Sequence, residues 1–281
     1  MVKFGINSWV WVYPSDISAI RKAEEIGYDG IEIPIEDPKI MNVKKFAQAL
    51  KSSKLECSSI CAVMASDRDL KSPDPAIRKN AKTYIKTSVD CAVEFGTSIV
   101  AGPLYSAVAP TLATPDIDAE WKVSVQGLKE VSRYAEDRGV YLALEPLNRF
   151  ENHLVNTVAQ VKKMLSDIDS PAIKIHFDTF HANIEEQSIG GAIRDCDRLL
   201  YHFHACENDR GTPGKGHIPW DEVASAVKDI QYDRYVVIET FQPGIKEIAT
   251  AAAIWRPLAT SQDSLASEGL SFLKEIMKSH A

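Results

Sequence analysis

Two hydrophobic periods take turns along this chain from end to end. Short, continuous apolar runs, partly β-branched, alternate with longer stretches in which apolar residues return every three or four positions. The short runs predict strands over 2–9, 30–35, 56–63, 97–102, 140–145, 173–178, 200–206 and 235–240. Their cores are mainly apolar, as expected of strands buried on both sides. The longer stretches predict helices over 16–27, 40–53, 75–95, 117–138, 156–168, 189–197, 220–229 and 262–279. In the fourth, Trp121, Val125, Leu128, Val131, Tyr134 and Ala135 follow helical spacing. Ser15-Asp16 and Thr157 are suited to cap helix starts, and Gly27, Gly96 and Gly139 fall where helices should stop. Regular alternation predicts an α/β protein, and eight cycles predict a closed (β/α)8 TIM barrel over an open doubly wound sheet. The length of 281 residues suits one such barrel. With no linker or low-complexity segment in view, residues 1–281 are expected to form a single TIM-barrel domain.

Composition narrows the field. Apolar residues are 45% of the chain, enough for one large core, and the formal net charge is −7. An acidic chain without a basic tract is not expected to bind nucleic acid or an anionic membrane. No apolar run reaches membrane-spanning length. Met1 to Ile6 reads as a first strand, not as a signal peptide. Five cysteines (Cys57, Cys61, Cys91, Cys196 and Cys206) are odd in number and lack zinc-type spacing, so reduced thiols in a cytoplasmic protein are expected. Neither a dinucleotide nor a P-loop glycine motif is present.

Four predicted strands of the second half end in polar residues: Leu142-Ala143-Leu144-Glu145, Ile175-His176-Phe177-Asp178, Tyr201-His202-Phe203-His204 and Val237-Ile238-Glu239. Their spacing is about one strand-plus-helix unit. In a barrel, equivalent strand ends meet at one face, where active sites are built. Glu145, Asp178, His204 and Glu239 would therefore converge. Any one alone reads as a rim salt-bridge partner. Together, three acids at apolar strand ends would repel one another without a cation. Mixed carboxylate and imidazole ligands suit a divalent metal, Mn²⁺ first, with Co²⁺ or Mg²⁺ as alternatives. His176 and His202 share faces with Asp178 and His204 one layer deeper, either as supports or as core histidines. Cys206, two residues past His204, reads as a small apolar filler. His181 is expected on the loop after its strand. The Gly-rich run from Glu207 to Trp220 reads as a flexible connection or as a lid carrying Arg210. Arg149 and Glu151 follow Glu145 at the rim. Trp9, Trp11 and Phe241 lie at or beyond strand ends, where they would pack on a ligand or seal the barrel top.

At these residues the chain resembles the ketose 3-epimerases, the D-tagatose, D-psicose (allulose) and L-ribulose 3-epimerase group of the sugar isomerase/epimerase TIM-barrel superfamily. The matching stretches are 144–151, 177–186, 202–211 and 238–241, and 254–259 also resembles the family. The resemblance implies Glu145, Asp178, His204 and Glu239 as metal ligands, with Glu145 and Glu239 also catalytic. It implies Glu151, His181 and Arg210 as substrate contacts. Trp9, Cys61 and Phe241 are assigned to the same pocket, and Asn7, Trp9, Glu32 and Cys61 would shape it around the far end of the sugar. The expected substrate is a free ketose, and the expected assembly is a homo-oligomer, dimer or tetramer.

The expected chemistry is inversion at C3 through a cis-enediolate, with one of Glu145 and Glu239 taking a proton and the other giving one to the opposite face. An aldose–ketose isomerase, a hydroxypyruvate isomerase or an inosose dehydratase would share the metal set. An endonuclease IV-like repair enzyme would need more histidines and a basic surface, which net −7 opposes. A sugar-binding barrel without catalysis would not require all four ligands.

Overall fold

Eight strands form where the apolar runs predict them: β1 (Lys3–Asn7), β2 (Gly30–Ile35), β3 (Glu56–Ala62), β4 (Ile99–Gly102), β5 (Tyr141–Leu144), β6 (Ile173–Asp178), β7 (Leu200–His204) and β8 (Tyr235–Ile238). The structure, a computed structural model, describes residues 2–108 and 115–280. Each strand pairs in parallel with the next, and β1 pairs with β8, so the sheet closes into a single-domain TIM barrel.

Among the described residues, ten helices surround the barrel: α1 (Ser18–Ile26), α2 (Val43–Lys51), α3 (Pro75–Phe95), α4 (Ile117–Glu136), α5 (Val158–Ile168), α6 (Thr179–Glu185), α7 (Ile189–Cys196), α8 (Trp220–Asp229), α9 (Lys246–Ala251) and α10 (Gln262–Ser279). Each long one buries a stripe against the strands; in α4, Val125, Leu128, Val131 and Ala135 face inward, while Trp121 and Tyr134 stay half-exposed. Local chemistry sets the ends. Thr157 and Gln160 form a capping box on α5, and Gly27 and Gly96 close α1 and α3 in the left-handed conformation that favours glycine. Asp16 accepts from the Ser18 N–H but does not cap α1, whose flanking residue is Ile17.

Three local expectations are corrected. β1 stops at Asn7 instead of running to residue 9, because the Asn7 side chain accepts from the Trp9 N–H and caps a 3₁₀ turn over Ser8–Val10. α6 forms directly at the end of β6, where a loop was expected, because the Asp178 carboxylate accepts from the Phe180 N–H. α9 was not anticipated, being six residues long and uncapped by a side chain.

Parallel pairing breaks register at two places. Between β2 and β3, Ile31 pairs with Cys57 but Glu32 with Ser59, leaving Ser58 as the extra residue. Between β6 and β7, Ile175 pairs with Leu200 but His176 with His202, leaving Tyr201 extra. Such bulges re-aim the side chains beside them. No described helix is long and apolar enough to cross a membrane.

Candidate active site

Period-2 alternation puts every second residue of a strand on one face, and closure turns that face inward. His176 and Asp178 of β6, and His202 and His204 of β7, therefore point into the barrel, with Asp178 directly opposite His204. Glu145 and Glu239 follow the last residues of β5 and β8. All four predicted ligands are buried at one end of the barrel. The ligand atoms of Asp178, His204 and Glu239 lie within 4.8 Å of one another, as do those of Glu145, Asp178 and His181. Asp178 is the shared vertex, so the four ligands and His181 form one cluster.

The donors fit a divalent cation. His204 Nδ1 is buried without a hydrogen-bond partner, 3.5 Å from Glu239 Oε2 and 3.9 Å from Asp178 Oδ2. An imidazole nitrogen aimed at two carboxylates needs a proton or a metal between them. The thiols do not compete for it. Cys206 donates to the Glu239 carbonyl, and burial, then Glu32 and Glu239, push the Cys61 thiol far up.

Electrostatics divide the two glutamates. Burial, with Glu239 and Asp178 adding to it, raises the Glu145 carboxyl well above the ordinary value against the pull of His204 and Arg210. Burial also disfavours the Glu239 carboxylate, but His204 and Arg210 outweigh it and hold Glu239 below the ordinary value. Burial lowers His204, yet Glu32 and Glu239 prevail and raise it well above the usual histidine value.

Arg210 is the nearest counter-charge. Its Nη1 donates to Glu239 Oε2 at 2.5 Å and to Asp178 Oδ2 at 3.1 Å, and the guanidinium lies 4.2 and 5.0 Å from the ring centroids of Phe180 and Phe241. The segment that carries it is not a loose connection. Glu207 is buried and accepts from the backbone of Gly214 and Ile218 and from Trp220 Nε1, each at 2.9 Å. The Thr240 hydroxyl fastens the Arg210 carbonyl.

His181 sits in α6 rather than on a loop. Its Nδ1 accepts from the Asn148 N–H at 3.1 Å, which leaves Nε2 facing Glu145 Oε1 at 3.7 Å and Asp178 Oδ2 at 3.8 Å. Asn148 also donates to Glu151, holding it at the edge of the same pocket. Arg149, grouped with Glu151 from sequence, is instead exposed and paired with Glu185 at 2.9 Å. Trp9 and Phe241 are buried and pack, ring centroids 6.0 Å apart, with Ile248 and Ile254 into a small apolar cluster that walls the mouth. Trp11 turns away to Asp263. Cys61 lies with Glu32 and Glu239 inside 4.8 Å.

Glu32 departs from its expected place. Sequence reasoning set it at the far end of the pocket; the structure buries it fully, with His204 Nε2 at 2.8 Å and His202 Nε2 at 2.6 Å. The available signal was a charged residue inside the apolar run Gly30–Ile35, which burial forbids unless it is paired. Asn148 and Glu207 were missed as supports because their partners lie across turns that no periodicity encodes.

A profile of the family described as xylose isomerase-like TIM barrel matches residues 20–276. The chain is 37% identical over 223 residues to the D-psicose 3-epimerase of Ruminiclostridium cellulolyticum, covering 77% of this chain and 76% of that one. The solved structure of an L-ribulose 3-epimerase superposes with a TM-score of 0.94 at 30% identity, over 100% of this chain and 96% of the other. That of D-psicose 3-epimerase with D-tagatose, from Clostridium cellulolyticum H10, superposes with a TM-score of 0.92 at 32% identity, over 98% and 99% of the two chains.

Proposed function

The chain belongs to the ketose 3-epimerases of the xylose isomerase-like TIM-barrel family, and we propose that it inverts free ketoses at C3 with Glu145 and Glu239 as the proton-transfer pair. The observation that carries this reading is geometric: Glu145, Asp178, His204 and Glu239 are all buried at one end of the barrel, with Asp178 shared between the two ligand clusters that hold the two glutamates. Two carboxyls placed around one site can serve as an acid and a base.

Glu145, Asp178, His204 and Glu239 would hold a divalent cation, Mn²⁺ before Co²⁺ or Mg²⁺. Bound there, it supplies Lewis-acid stabilisation of charge developing on the sugar oxygens. One of Glu145 and Glu239 takes the C3 proton from one face, and the other, protonated, delivers a proton to the opposite face. Starting from the other epimer, the two exchange roles. Their strands stand three apart in the ring, so the side chains approach from different sides. The Asn148 N–H donates to His181 Nδ1, and Nε2, 3.2 Å from Arg210 Nη2, faces the pocket where it would meet a sugar oxygen. Arg210 offers its planar fork of donors to O1 and O2, which confines the reaction to C3. Glu151 orients a further hydroxyl, while Trp9, Phe241 and Cys61 line the remaining pocket.

The substrates would be D-psicose, D-fructose, D-tagatose or L-ribulose, taken as free sugars. No glycine-rich phosphate cradle is present, and the chain is acidic. A homodimer or tetramer is the proposed assembly, by likeness to the family. Five buried, unpaired thiols support a reducing, cytoplasmic setting. The test is a Mn²⁺-supplemented screen of free ketohexoses and ketopentoses, read by chromatography and by solvent deuterium. A new ketose labelled at C3 is expected. An aldose labelled at a terminal carbon would make the protein an aldose–ketose isomerase instead.

A further inference from the structure

Glu32 is fully buried in β2, yet all of its acceptor capacity is used. Oε1 accepts from Asn7 Nδ2 at 2.8 Å and from His204 Nε2 at 2.8 Å. Oε2 accepts from the Ser59 hydroxyl at 2.7 Å and lies 2.6 Å from His202 Nε2. These donors come from β1, β3 and β7, so the carboxylate is a cross-link through the barrel. Both register breaks in the sheet serve it. The extra residue Ser58 re-aims Ser59, and the extra residue Tyr201 re-aims His202. Asn7 is fixed in turn, since its Oδ1 accepts from the Trp9 N–H.

An ionised carboxylate only accepts hydrogen bonds, so the His204 nitrogen facing it carries the hydrogen. In a neutral ring the other nitrogen, Nδ1, is then a bare lone pair. Nδ1 is the buried atom without a partner that faces Asp178 and Glu239. We infer that Glu32 is a positioning residue for cation binding: it locks His204 in the Nε2–H tautomer and aims Nδ1 at the cation. Ser59, Asn7 and His202 hold the carboxylate in place, so neither it nor the imidazole can rotate out of register. This rests on the reading that Glu145, Asp178, His204 and Glu239 hold a divalent cation. Carboxylates behind a ligating histidine fix its tautomer and raise its basicity, and their loss typically weakens metal affinity about 10–100-fold.

The experiment titrates Mn²⁺ calorimetrically into metal-free wild type, Glu32→Gln and Glu32→Asp. Glu32→Gln should raise the Mn²⁺ dissociation constant about 10–100-fold. Glu32→Asp, which keeps the charge, should recover part of the loss. With Mn²⁺ saturating, KM for the ketose should stay within about twofold, because Glu32 touches no substrate. A purely structural role would lower the melting temperature of the folded variant and leave its Mn²⁺ affinity alone. Equal Mn²⁺ affinity in wild type and folded Glu32→Gln overturns the inference and leaves the epimerase reading intact. Failure of wild type itself to bind Mn²⁺ overturns the underlying metal reading. Should Glu32→Gln not fold, nitrogen-15 imidazole spectra of the wild type loaded with diamagnetic Mg²⁺ decide. An Nε2–H, Nδ1-bare His204 supports the inference, and an Nδ1–H tautomer defeats it.

Discussion

Glu32 and Glu145 are both buried in the same barrel, yet the fold treats them in opposite ways. Burial disfavours the ionised form of each. At Glu32 the His204 and His202 imidazoles overcome burial and hold the carboxyl well below the ordinary value. At Glu145 burial dominates, Glu239 and Asp178 reinforce it, and the carboxyl is driven well above that value. The first half of the barrel therefore holds a saturated charge, and the second half an unsatisfied set: the Glu145 carboxyl, whose nearest imidazoles stand 3.6 and 3.7 Å away, and the orphan nitrogen of His204. A saturated buried carboxylate builds structure. An unsatisfied one is available for a ligand and for proton transfer.

Removing the cation tests the unsatisfied half most severely. Exhaustive chelation should abolish ketose turnover, Mn²⁺ should restore it, and added Mn²⁺ should raise the melting temperature because only the native state binds it. Full turnover in metal-free protein would break the comparison at its root.

Next in size are the proton-transfer residues. Glu145→Gln and Glu239→Gln should each lower kcat by roughly 10² to 10⁴-fold, the range of a general acid or base. Near-normal turnover by Glu239→Gln would discard the two-carboxylate mechanism.

Stability of the metal-free protein should then separate the halves by sign. Glu32, held below 4.5, contributes stability above that pH and loses it as pH falls through its lower folded value. Glu32→Gln should therefore cost about 3–5 kcal/mol at neutral pH, as breaking a buried ion pair does. Glu145, raised above 4.5, costs stability as pH rises from that value toward its folded value. Glu145→Gln should raise the melting temperature of the metal-free protein at pH 7 to 8 and leave it unchanged near pH 4. Scanning calorimetry at the two pH values reads both, and shifts of equal sign at neutral pH would contradict the contrast.

A smaller effect is expected at Glu207, which builds structure as Glu32 does. Glu207→Ala leaves two buried donors, the Ile218 N–H and Trp220 Nε1, without their acceptor, at about 1–3 kcal/mol for each donor orphaned, and frees the exposed Gly214 N–H. It should also raise KM more than it lowers kcat, because the segment holding Arg210 loosens. Denaturant melts and steady-state kinetics measure the two parts. The smallest effect belongs to Arg149→Ala. That guanidinium is exposed and paired at the rim, so kcat/KM should stay within about twofold. A large loss there would mean that the rim belongs to the site after all.

The alternation of apolar runs and helical stripes determines eight strands and the long helices, because burial of one face and two faces leaves different periods in a sequence. Four polar residues at equivalent strand ends likewise announce a convergent cluster. What no period encodes is what meets across the closed ring. β1 pairs with β8, Lys3 opposite Tyr235, and Glu32 reaches His204 across 172 positions. The turn over Ser8–Val10 and helix Thr179–Glu185 escape because each is started by a single side chain, Asn7 or Asp178. Glu32 was visible as a charge in an apolar strand, and its chemistry was not. Closure alone decides that His202, Ser59, Asn7 and His204 surround it while His176 and His181 stand 3.6 and 3.7 Å from Glu145, beyond hydrogen-bond distance. A carboxylate's protonation is set by its neighbours in space, and sequence carries those neighbours only through the fold.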